Sequence, residues 1–99
     1  MEVLSVQSKI KAESVDDVQA AVERMLAALH AGQPEGLRYA AFMAPDGETF
    51  VALREVDDGV ENPLEHLPEY KELLEIVEGS RAAPPFAEML TVIGSYRLF

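Results

Sequence analysis

The stretch EHLPEYKELLEIVEG, residues 65–79, holds the side chains best suited to chemistry. His66 can take or give a proton near neutral pH, and Tyr70, four residues on, would share a helix face with it. A histidine there, at the mouth of a pocket between helix and sheet, could act as a catalytic general base or a hydrogen-bond donor. Pro68 stands between the two. It removes a backbone donor and disfavours helix at Leu67, so the regular helix should begin at or near Pro68. His66 then falls in the joint, in a short turn opened by Asn62-Pro63, where it could equally tie down irregular backbone.

Arg38 and Arg54 interrupt apolar runs in a chain with 8 Lys and Arg against 18 Asp and Glu. Either could bind a ligand by meeting a carboxylate or enolate oxygen. A cross-strand or intersubunit ion pair with one of the many glutamates is the simpler account. Tyr39, Tyr70 and Tyr96 could donate to a ligand, though buried tyrosines usually find a protein partner. His30 would sit at the end of a helix, where a partly charged imidazole suits the dipole. Asp57, Asp58 and Glu61 lack the spacing of a metal loop and have no His or Cys support, so no metal site is expected. No phosphate cradle, nucleophile elbow or Ser-His-Asp order is visible, and no cofactor is expected.

These residues belong to one domain, residues 1–99, with 48% hydrophobic composition, enough for a packed core. The net charge of −10 argues against nucleic acid and anionic membrane as partners, since both would repel it. There are no cysteines, which removes disulfides and thiolate chemistry. The first residues, MEVLSVQSKI, lack the basic start and apolar run of a signal peptide. No apolar run approaches the ~20 residues that span a bilayer. A soluble cytoplasmic protein is the expectation.

The elements that must position the candidates follow from periodicity. Leu4, Val6 and Ile10 alternate with Ser5, Gln7, Lys9 and Lys11 as in a half-polar strand. From Ser14, a good N-cap, Val15, Val18, Val22, Met25, Leu26 and Leu29 recur at helical steps, and Gly32 with Pro34 should end the helix. GLRYAAFMA and ETFVALREV read as a hairpin around Pro45-Asp46-Gly47. An acidic loop over 57–61 leads into the second helix, whose Leu67, Tyr70, Leu73, Leu74 and Val77 share one face. AEMLTVIGSYRLF reads as a fourth strand. The order β-α-β-β-α-β is the ferredoxin-like split unit, an α+β fold with both helices on one face of a four-stranded antiparallel sheet.

The strands carry apolar residues at both parities: Leu37, Tyr39, Ala41 and Met43 against Ala40, Phe42 and Ala44, and Leu90, Val92 and Leu98 against Ile93 and Phe99. Two helices can cover only one face, so a second copy should cover the other. A homodimer is expected, with an interface above about 1,200 Å² and Leu98 and Phe99 buried in it.

A unit of this size that hides its open sheet face in a dimer resembles the dimeric α+β barrel superfamily, in particular its antibiotic biosynthesis monooxygenase-like group. The local likeness lies in LREVDDGVENPLEHLPEYKELLEIVEG: a third strand ending in an acidic residue (Glu55), a loop, then His66 before a helix that opens with Pro68 and Tyr70. The closing VIGSYRLF is similar to the group's last strand. The resemblance implies one of several activities. Haem degradation, which uses a pocket tryptophan with Asn and His, does not suit a chain without Trp. A cofactor-independent monooxygenase or isomerase would need an apolar pocket for an aromatic or polyketide-like substrate. The other class is a non-catalytic dimeric domain that binds a small apolar molecule or serves assembly. A cavity of roughly 300 Å³ or more facing His66 would favour ligand chemistry, and a filled core would favour assembly.

Overall fold

A computed structural model describes residues 2–98, and Phe99 with its expected interface role lies outside the described residues. Among these residues the elements are β1 (Glu2–Lys9), α1 (Val15–Gly32), β2 (Leu37–Met43), β3 (Thr49–Val56), α2 (Pro68–Ser80) and β4 (Phe86–Thr91), with 3-10 turns at Ala12–Ser14 and Pro63–His66. The strands form one antiparallel sheet in the order β2-β3-β1-β4. This is the ferredoxin-like βαββαβ arrangement expected from the sequence.

The hydrophobic stripes of both helices meet one face of the sheet. Val18, Ala21, Val22 and Met25 of α1 and Leu73 and Val77 of α2 are buried with Ile10, Phe50 and Leu64 in a single core. Leu37, Tyr39 and Ala41 of β2 and Ala52 of β3 pack against it half-buried. Each large side chain removed from water there contributes about 1.5–3 kcal/mol. Arg24 of α1 and Glu72 of α2 add an exposed ion pair at 2.6 Å between the helices.

Three local details differ from the sequence reading. Ser14 occupies the N-cap position of α1, but its side chain makes no capping hydrogen bond, because a 3-10 turn runs into the helix instead. The helix does not end through Gly32. Gln33 takes the left-handed conformation, φ 44°, with its N–H on the Leu29 carbonyl at 2.8 Å. The fourth strand stops at Thr91, and residues 92–98 have no strand structure. Thr91 lies opposite Glu2, the first described residue of β1. Among the described residues no strand pairs with the chain beyond Thr91.

The hairpin is closed as its residue types demand. Gly47 takes φ +74°, and the Asp46 carboxylate accepts from the N–H groups of Glu48 and Thr49 at 2.9 and 2.8 Å and from the Thr49 hydroxyl at 2.6 Å. Gly36 opens β2 at φ +79°, with a Cβ there falling 2.9 Å from a Val60 methyl. That close approach seats the 57–62 loop against the start of β2.

The face away from the helices carries no helix, although Val3, Ser5 and Glu55 near its centre are buried. Strand register lays it out in three rows: Phe42, Val51, Gln7 and Phe86; Ala40, Leu53, Ser5 and Glu88; Arg38 and Glu55 with Val3 and Leu90. Phe42 and Phe86 are 46% and 57% exposed, and every residue of β4 is exposed.

Candidate functional site

His66 ends the 3-10 turn, whose first free N–H, that of Leu64, is accepted by the Asn62 side chain at 3.1 Å. The joint read from Asn62-Pro63 is therefore present, and α2 begins at Pro68 as its proline requires. From that joint His66 points outward. Its Nε2 lies 2.8 Å from a Glu61 carboxylate oxygen, and both side chains are 71% exposed. Leu64 of the same turn is the residue turned into the core. His66 is not among the residues lining the cleft beneath α2.

The two arginines of β2 and β3 go to opposite faces. Arg38 pairs with Glu55 directly across from it on the open face and reaches Asp57 at 3.4 Å. Glu55 is buried, and its second carboxylate oxygen has no hydrogen-bond partner among the described residues. Arg54, one residue earlier, points toward α2, where its guanidinium approaches the Tyr70 hydroxyl at 3.3 Å. Alternation along β3 separates these two neighbours onto the two sides of the sheet.

Arg54 and Tyr70 thus come together with Leu4, Val6, Tyr39, Phe50 and Leu73 around a cleft of about 70 Å³ between α2 and the sheet. Burial in this cleft is the main reason the Tyr39 phenol is pushed up to about 12; the neighbouring Tyr70 acts in the same direction and Arg54 opposes it. At its far end stands Arg81, which follows α2 and bridges to Ile10 of the chain leaving β1. Sequence reasoning did not single out Arg81, since a side chain just past a helix end has no periodicity to aim it. At the Arg54 end the cleft meets a wider open groove of about 670 Å³, bordered by Glu2, Leu4, Glu55, Asp57, Asp58 and Met89 as well as Arg54. A third hollow, about 240 Å³, lies between the end of α1 and β2 beside His30 and Tyr39. Among the described residues no group of three or more His, Asp or Glu side chains is placed to hold a metal ion. No described helix is long and apolar enough to cross a membrane.

The class of protein so defined is a ferredoxin-like α+β domain with one helix-covered face, one open face and a narrow cleft under its second helix. No protein-family description matches the chain, and no curated protein matches it. Solved structures do. An antibiotic biosynthesis monooxygenase superposes with a TM-score of 0.71 at 17% identity, covering 95% of this chain and 100% of that one. A variant of SnoaB, a cofactor-independent oxygenase from Streptomyces nogalater, does so with a TM-score of 0.64 at 17% identity, covering 97% of each chain. A dimeric ferredoxin-like protein of unknown function from Jannaschia sp. matches with a TM-score of 0.65 at 13% identity, over 93% of this chain and 100% of that one. The chain therefore shares the fold of the antibiotic biosynthesis monooxygenase-like group, as the sequence resemblance implied. At these identities the likeness is one of fold.

Proposed function

We propose that the chain is a homodimeric assembly domain whose open sheet face is covered by a second copy. The observation that carries this reading is the set Phe42, Val51, Leu53, Phe86 and Leu90, apolar residues on a sheet face that no helix covers. A contiguous apolar surface of this kind is more than soluble monomers usually leave in water. A second copy meets it with the same patch about a two-fold axis. The exposed apolar segment after β4, with Ile93, Tyr96 and Leu98, extends the surface available to that copy. The dimeric neighbour from Jannaschia sp. supports the same arrangement.

The helix-covered face also favours assembly over catalysis on a large substrate. Its cleft of about 70 Å³ falls well short of the ~300 Å³ at which drug-sized ligand pockets begin. The general-base candidate, His66, is engaged with Glu61 at the surface. On this geometry a cofactor-independent oxygenase or isomerase is the less favoured reading.

Sedimentation at micromolar concentration tests the proposal. The expected mass is twice 10.9 kDa, and a single species at 10.9 kDa overturns it. Phe86→Asp should shift the species to the monomer with the circular dichroism spectrum unchanged, because Phe86 lies outside the core.

A further inference from the structure

The chain contains two Asp-Gly steps, Asp46-Gly47 and Asp58-Gly59, and the fold treats them differently. In such a step the glycine backbone nitrogen can attack the aspartyl carboxyl. The two groups are already joined at the distance of a five-membered ring, and glycine has no side chain to hinder the approach. The single asparagine, Asn62, has no such route, since Pro63 carries no N–H.

Asp46-Gly47 is held on both sides. Its carboxylate accepts from the N–H groups of Glu48 and Thr49 and from the Thr49 hydroxyl, and Lys9 adds an ion pair at 3.2 Å. The Gly47 N–H donates to the Ala44 carbonyl at 2.9 Å. Nucleophile and electrophile are both occupied, and they are turned away from each other.

Asp58-Gly59 is the reverse case. Residues 57–60 form a turn closed by the Val60 N–H on the Asp57 carbonyl at 3.1 Å. Gly59 holds its third position at φ +77°, as a type II turn requires, and the N–H at that position takes no part in the turn's own hydrogen bond. Among the described residues neither the Gly59 N–H nor the Asp58 carboxylate has a hydrogen-bond or ion-pair partner. Both residues are exposed.

We infer that Asp58-Gly59 is a site of spontaneous isoaspartate formation, and that the folded hairpin turn protects Asp46-Gly47 from the same change. The Gly59 nitrogen forms a bond to the Asp58 side-chain carbonyl carbon. Its proton and a carboxyl oxygen leave as water, which gives a succinimide. Water then adds back at one of the two ring carbonyls. Opening at the side-chain carbonyl restores aspartate, and opening at the main-chain carbonyl leaves the chain running through the Asp58 side chain. The water lost in the first step is regained in the second, and nothing is oxidised or reduced. The isoaspartyl product adds one carbon to the backbone of a loop that Val60 seats against Gly36 and from which Asp57 reaches Arg38 at 3.4 Å.

The test is to age the folded full chain for weeks in warm neutral buffer and then digest it with trypsin. Cleavage after Arg38, Arg54 and Lys71 places the two sites on separate peptides, 39–54 and 55–71. An isoaspartyl-specific carboxyl methyltransferase labels the peptides, and electron-transfer fragmentation locates the altered residue. Label should accumulate at Asp58 about tenfold faster or more than at Asp46, since freeing Asp46 breaks hydrogen bonds to a charged group that are each worth about that factor. In urea, where neither turn is held, the two sites should gain label at similar rates. Asp58→Glu, whose longer side chain does not close a five-membered ring, should remove the label from peptide 55–71. Thr49→Val should raise the label at Asp46. Equal labelling of the two sites in the folded chain, no label at Asp58, or a preference for Asp58 that is just as large in urea overturns the inference.

Discussion

Arg54 of β3 and Tyr70 of α2 meet at 3.3 Å across the gap between sheet and helix. The contact marks the place where the closed core gives way to the open groove. It also links two candidates that lie far apart in the chain, while the more obvious partner of Tyr70, His66, is turned outward four residues earlier.

That outward placement makes His66 dispensable for the fold. Its contact with Glu61 is exposed on both sides, and exposed pairs of this kind are worth about 0–1 kcal/mol. His66→Ala should move the denaturant midpoint only slightly. A large fall in the midpoint would show that His66 ties down the joint before α2. Equilibrium unfolding makes the measurement.

Asp46 should give the protein an acid-sensitive component of stability. Chiefly the Thr49 hydroxyl, then the N–H groups of Glu48 and Thr49, and more weakly Lys9, hold its carboxyl well below its ordinary value of 3.8. The folded state therefore binds this proton less tightly than the unfolded state. The contribution is complete above 3.8 and is lost as pH falls below it through the lower folded value. Unfolding midpoints of the unaltered protein and of Asp46→Ala should differ most at neutral pH and converge toward the acid limit. A constant difference across that range would show that Asp46 acts only through turn geometry.

Tyr39 supplies the alkaline counterpart. Burial pushes its phenol from 10.0 up to about 12, so the folded state holds the proton more tightly than the unfolded chain. Its contribution is complete below 10 and is lost as pH rises toward 12. An absorbance titration should show a phenolate component near 12 that is missing from Tyr39→Phe. A titration curve unchanged by the substitution would mean that the cleft is wetter than its lining indicates.

Most of the architecture was legible in the sequence, because it rests on local periodicity and local stereochemistry. The apolar stripe of α1, the start of α2 at Pro68 and the turn at Pro45-Asp46-Gly47 depend on residues a few positions apart. The open sheet face was legible for the same reason, since two-residue alternation assigns each strand residue to a side before any strand is paired. Where β4 ends was not legible. Val92 and Ile93 read as strand, but how far a strand runs depends on pairing with a neighbour, and the last described pair is Thr91 with Glu2.

The candidate site divides along the same line. Residue type alone marked His66, Arg38, Arg54 and Tyr70 as able to do chemistry. Only the tertiary structure decided that Arg38 answers Glu55, that His66 leaves the site for Glu61, and that Arg81 arrives to share the cleft with Arg54. A side chain at an irregular joint or just past a helix end has no period to aim it. Its direction follows from the packing of distant segments, here the seating of Leu64 in the core and the bridge between Arg81 and Ile10.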